Sequence, residues 1–143
     1  MPSILLVDDD ASDLRTAIGA LGEMGAIIPA MRLSEAMRYI DEAADGAREM
    51  PVAIVLDLAL GYESGFEVLR RWRSDKRLSG IQVVVWTRMG EREQELCRLF
   101  GLNHVIAKWS GISELQDAVR AVLQPLGRPA QGPSSGRTQP ANG

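Results

Sequence analysis

Cysteine and histidine each occur once in the 143 residues, aromatic residues make up only 5%, and no long apolar run is present. A single cysteine, Cys97, excludes an intramolecular disulfide, which suits a reducing compartment. A lone histidine, His104, makes no histidine phosphotransfer domain and reads as an ordinary edge residue. No stretch approaches the roughly 18–20 apolar residues a membrane span needs. The N-terminal apolar run meets Asp8 after four residues, too short for a signal peptide. Excess positive charge is also missing. The formal net charge is −3, and residues 1–124 carry 14 basic against 19 acidic groups. Such a body has no electrostatic reason to bind nucleic acid or an anionic membrane. The expected location is the cytoplasm.

What the chain does have is alternation. Five short apolar runs, 3–7, 26–30, 52–56, 82–86 and 104–107, are separated by segments of helical period. Several runs are apolar without alternation, the pattern of strands covered on both faces. Pro29 places the second run at a sheet edge, because proline cannot donate to a central ladder. Leu14, Ala17, Ile18 and Leu21 mark the first helix, with Gly25 as its stop; Ala36, Met37, Ile40 and Ala44 mark a second after Ser34. "SGFE" (64–67) and "SELQ" (113–116) fit capping boxes that open the third and fifth helices. A fourth runs from about Gly90 to Phe100. Strands alternating with helices predict an α/β fold, a parallel sheet with helices on both faces. Residues 125–143 hold four prolines and four glycines and read as a flexible tail or truncated linker.

In such a sheet ligands sit beyond the carboxyl ends of the strands. The first strand ends at Asp8 and Asp9, the third at Asp57, the fourth at Thr87 and the fifth at Lys108. Close carboxylate pairs repel by roughly 4 kcal/mol at 4 Å and an effective dielectric of about 20. The cluster therefore calls for a cation, and hard oxygen donors favour Mg²⁺. Asp10, just before the first helix, reads as its cap.

With these residues in place, "ILLVDDD", "IVLDLALGYESGFEVL", "VVVWT" and "VIAKW" resemble, in order and spacing, the receiver domain of two-component response regulators over residues 3–124. The resemblance implies a doubly wound five-stranded parallel sheet of flavodoxin-like order 2-1-3-4-5. It implies that Asp57 accepts a phosphoryl group from a histidine kinase or phosphotransfer protein. It also implies Mg²⁺ on Asp8, Asp9, Asp57 and the Ala59 carbonyl, with Lys108 and Thr87 binding the transferred group. The chain would then be a switch rather than an enzyme, catalysing at most its own phosphorylation and dephosphorylation. Its downstream partner is a protein not identified by the sequence, and homodimerisation through the last two βα units fits the same picture.

Four positions depart from the family pattern: Gly61 for the common proline, Arg88 for a small residue after Thr87, Val105 for the aromatic switch, and Trp109 for the proline after Lys108. Arg88 either crowds the site or holds an anion, and the Lys108–Trp109 bond is expected to be trans. Ala59 and Met89 offer no group to position a hydrolytic water, which by family analogy implies slow phosphoryl loss. Trp86 and Trp109 read as packing residues, and Cys97 as a packed thiol. The altered readout residues leave a second reading, a degenerate receiver that binds partners without phosphorylation. A magnesium phosphatase of the haloacid dehalogenase type is disfavoured by Ala59, which stands where its general acid is needed. A flavodoxin is disfavoured because aspartates, not a phosphate loop, follow the first strand.

Overall fold

The computed structural model describes residues 1–88 and 90–124. The expected tail, 125–143, and the Met89 reading lie outside the described residues. Five parallel strands, β1 (Ser3–Val7), β2 (Ala26–Ala30), β3 (Ala53–Leu56), β6 (Gln82–Thr87) and β7 (His104–Ala107), form one sheet in the order β2-β1-β3-β6-β7. In strand rank this is 2-1-3-4-5, so the expected doubly wound order is observed. Pro29, on the edge strand β2, pairs with Leu6 of β1, as its missing N–H requires.

The sheet has two apolar faces because successive side chains point to opposite sides. Leu5, Val7, Ile54 and Leu56 face α2 (Leu33–Ala44), α3 (Phe66–Ser74) and α4 (Glu91–Leu99), where Ile40, Leu69 and Cys97 meet them. Ile4, Leu6, Val55 and Trp86 face α1 (Ala11–Leu21) and α5 (Ile112–Leu123), against Leu14, Leu21, Leu115 and Val119. Every residue of β1 and β3 is buried, which explains their unbroken apolar runs. Burial also pushes the Cys97 thiol up to about 11, as befits a packed, inert sulfur.

Local signals were overridden in four places. The two expected capping boxes do not form. Ser64 accepts the Phe66 N–H while Gly65 occupies the cap of α3, and Glu67 pairs with Arg70 instead. α5 opens after Gly111, whose φ of 104° is open to glycine, and Gln116 donates to the Ala20 carbonyl, tying α5 to α1. α2 starts before Ser34, at Leu33, with Glu35 reaching back to the Met31 N–H. α1 ends at Leu21 with Gly22 as its cap, so Gly25 is no helix stop. Gly25 is small for another reason: a Cβ there would sit 2.7 Å from the Pro2 carbonyl oxygen.

A small hairpin, β4 (Ala59–Leu60) and β5 (Glu63–Ser64), was not anticipated. Gly61 at its tip has φ 66°, so glycine is what this tight turn requires.

Candidate functional site

The site lies at the carboxyl ends of β1, β3, β6 and β7. Asp8 follows β1 with only 1% of its surface exposed; its N–H is fixed by the Ala30 carbonyl at 3.0 Å. Its Oδ1 accepts the Asp10 N–H at 3.0 Å. Asp57 follows β3, is 5% exposed, and donates its N–H to Val7 at 2.9 Å. Asp57 Oδ1 accepts two bonds, from the Thr87 hydroxyl at 2.6 Å and the Ala59 N–H at 3.0 Å. Thr87 Oγ1 in turn accepts the Leu58 N–H at 3.4 Å. Asp10 accepts the Asp13 N–H and caps α1, which holds its carboxyl below the ordinary value.

Lys108 closes the cluster from β7. Its Nζ donates to Asp8 Oδ2 at 2.8 Å, to Asp57 Oδ2 at 2.9 Å and to Asp13 Oδ2 at 2.7 Å, and it lies 4.8 Å from the centre of the Trp86 ring. Three donors thus meet three carboxylates, and the lysine side chain is 4% exposed. Burial alone would lower its pKa. The hydrogen bonds to Asp13, Asp57 and Asp8 reverse that and hold its pKa above the ordinary lysine value. Asp8 is pushed up to about 6, because desolvation of its carboxylate outweighs the help from Lys108 and the Asp10 N–H.

Asp9 is exposed, yet one carboxylate oxygen from each of Asp8, Asp9 and Asp57 lies within 4.8 Å of the others. An all-oxygen donor set of this kind fits a hard divalent cation. Ala59 stands two residues past Asp57 at the start of the hairpin.

The strand-end residues singled out from sequence are therefore brought together. Asp13 was missed. It looks like an ordinary first-turn acid of α1, and no signal in the sequence around it announces its partners. Its Oδ2 accepts both Lys108 and, at 2.9 Å, the guanidinium of Arg88. Arg88 thus turns from Asp57 toward α1. The Lys108–Trp109 bond is trans, no cis peptide occurring among the described residues, and Lys108–Ser110 form a 3₁₀ turn. Val105 is half-buried against the α2–α4 side of the core. Trp86 packs as expected at 4% exposed. Trp109 does not: it is 68% exposed, because the turn after Lys108 carries it out of the sheet.

No family model matches the chain. It is 30% identical over 125 residues to the DNA-binding dual master transcriptional regulator RpaA of Synechocystis, a match covering 87% of this chain and 50% of the relative. The chain thus spans about half the length of that relative. Among solved structures, the bacteriophytochrome response regulator RtBRR is 30% identical, with 85% of this chain and 78% of that one covered and a TM-score of 0.72. The phosphorylated cyanobacterial phytochrome response regulator RcpA is 29% identical over 87% and 92% of the two chains, at a TM-score of 0.71. The Mn²⁺-bound form of the response regulator Rcp1 is 25% identical over 85% and 91%, also at 0.71.

Fold, strand-end residues and these relatives define one class: the chain belongs to the receiver domains of response regulators, the signalling modules of two-component systems. Within that class it is similar to the phytochrome response regulators RtBRR and RcpA.

Proposed function

We propose that the chain is a phosphoryl-accepting switch in which Asp57 takes a phosphoryl group from a phosphohistidine of a histidine kinase or phosphotransfer protein, with Mg²⁺ as cofactor. The observation that carries this is the arrangement around Asp57: a hydroxyl on one oxygen, an ammonium on the other, and two further carboxylates within ligand distance of each other. A phosphorylated relative and a Mn²⁺-bound relative support the same reading.

Asp8, Asp9, Asp57 and the Ala59 carbonyl would hold the ion, which supplies charge neutralisation for the incoming phosphoryl oxygens. The chain does the rest. A carboxylate oxygen of Asp57 bonds to phosphorus as the P–N bond breaks and the imidazole leaves. Lys108 stays close by on Asp13 and pairs with a phosphoryl oxygen. The Thr87 hydroxyl, released from Asp57, hydrogen-bonds another, which biases β6 and the segment after it. Because Val105 cannot make the inward swing of an aromatic, the readout falls on the outer surface of the last two βα units, where Leu96, Leu99 and Trp109 are exposed. That surface is where a downstream protein or a second copy would dock. The protein is on this reading not an enzyme acting on a separate substrate, is cytoplasmic, and makes no direct contact with nucleic acid or membrane. Among the described residues no helix is long and apolar enough to cross a membrane.

Lys108 sits against the Trp86 ring, so its displacement reports on the site. Titration with Mg²⁺ and beryllofluoride is expected to change tryptophan fluorescence saturably in the parent, and beryllofluoride to add no change in Asp57→Asn. A folded parent whose fluorescence ignores both would contradict the proposal.

A further inference from the structure

Arg88 follows directly on Thr87, the residue whose hydroxyl grips Asp57. Its side chain borders two clefts. One, of about 380 Å³, is lined with Asp13, Trp86, Lys108 and Trp109; the other, of about 340 Å³, with Leu58, Ala59 and Thr87. Arg88 thus pairs with a carboxylate on α1 while lining the cleft of Ala59 and Thr87, the two residues that hold Asp57 Oδ1. We propose that Arg88 is a second phosphoryl-binding cation, held off Asp57 by Asp13 in the unphosphorylated protein and exchanged onto the phosphoryl group once Asp57 carries it. This rests on the phosphoryl-accepting reading above.

Three observations argue for exchange rather than a fixed brace. First, the Arg88 side chain is 60% exposed, and an ion pair in that setting contributes little. A phosphoryl group carries nearly two negative charges, and arginine meets phosphate oxygens with paired, charge-assisted hydrogen bonds. The stronger partner wins the cation. Second, the single oxygen of Asp13 that holds Arg88 also holds Lys108 at 2.7 Å. When Arg88 leaves, Asp13 keeps an ammonium partner, so no half-buried carboxylate is stranded. Third, both oxygens of Asp57 are already engaged by Thr87, Ala59 and Lys108. Arg88 has no vacancy there until phosphorylation supplies new oxygens. Asp13 is then a positioning residue that acts through Arg88 and Lys108, setting how readily the site accepts a tetrahedral anion.

The test is the beryllofluoride concentration for half-saturation in Mg²⁺, read by ¹⁹F NMR of the bound fluoride, for the full chain and four variants, each checked for folding by circular dichroism. Arg88→Ala is expected to raise it roughly 3- to 10-fold, and Arg88→Lys to recover part of that loss. Asp13→Asn, which loosens Arg88, is expected to lower it. In the Arg88→Ala background Asp13→Asn is expected to lower it by much less than in the parent, because only its pairing with Lys108 is then lost. If the parent binds and Arg88→Ala binds equally well, the exchange is overturned while the phosphoryl-accepting reading stands. A folded parent that binds no beryllofluoride overturns both.

Discussion

Lys108→Met is expected to destabilise the metal-free protein by about 3–5 kcal/mol, the cost of removing one partner from a buried charge cluster. The lysine carries the only hydrogen bonds to Asp8 Oδ2 and Asp57 Oδ2 among the described residues, and both carboxylates are almost fully buried. Without the ammonium, three acids face one another with much less to oppose desolvation, the force that already lifts Asp8 to about 6. Urea unfolding with and without Mg²⁺ separates the causes. Added Mg²⁺ is expected to restore much of the loss in the variant, since a dication held by Asp8, Asp9 and Asp57 would supply the missing positive charge. Phosphorylation is expected to slow by roughly 10²–10³ even with the metal present, because the buried ammonium no longer meets the developing charge. A loss under about 1 kcal/mol would mean that Lys108 is not what balances the cluster.

Gly65→Ala is the second large effect, and it is purely steric. Gly65 has φ −65°, a conformation any residue adopts, so backbone strain plays no part. An added Cβ would overlap the Asp57 carbonyl oxygen and lie 2.8 Å from Leu58 Cα, both main-chain atoms with no rotamer to yield. The Gly65 N–H also donates to the Leu58 carbonyl at 2.8 Å, fixing the approach. The expected loss is about 2–3 kcal/mol. Because the displaced atoms belong to Asp57 itself, weaker beryllofluoride binding should accompany it. Gly19→Ala is the control: nothing lies within 4 Å of its Cβ, and a mid-helix glycine to alanine change is expected to stabilise by about 0.5–1 kcal/mol. Equal behaviour of the two variants under denaturant would refute the steric account of Gly65.

The placement of the candidate site residues was legible because they hang on strand ends. Asp8, Asp57, Thr87 and Lys108 each close an apolar run, and a parallel sheet delivers all such ends to one edge. Order 2-1-3-4-5 came with the resemblance and is the one observed. What local reading lost was decided by contacts between elements. Ser64 and Ser113 carry the right spacing for caps, but Gln116 is drawn to Ala20 on α1 and Glu67 to Arg70. Asp13 was invisible as a site residue because nothing in its neighbourhood of sequence announces Lys108, 95 positions away, or Arg88. Trp109 was misplaced for a related reason: a tryptophan beside a buried lysine looks like packing until the turn at Lys108–Ser110 is known. The hairpin at 59–64 was missed although "LGYE" carries a turn signal, since only the pairing of Leu60 with Glu63 makes it a hairpin.

The proposed function rests on Asp57 accepting a phosphoryl group. The direct measurement is intact mass after incubation with acetyl phosphate and Mg²⁺, beside Asp57→Asn and a sample stripped of divalent metal. The expected result is a single labile phosphoryl adduct in the parent and none in either control. A folded, Mg²⁺-loaded parent that gains no adduct, or an adduct that persists in Asp57→Asn, would contradict it.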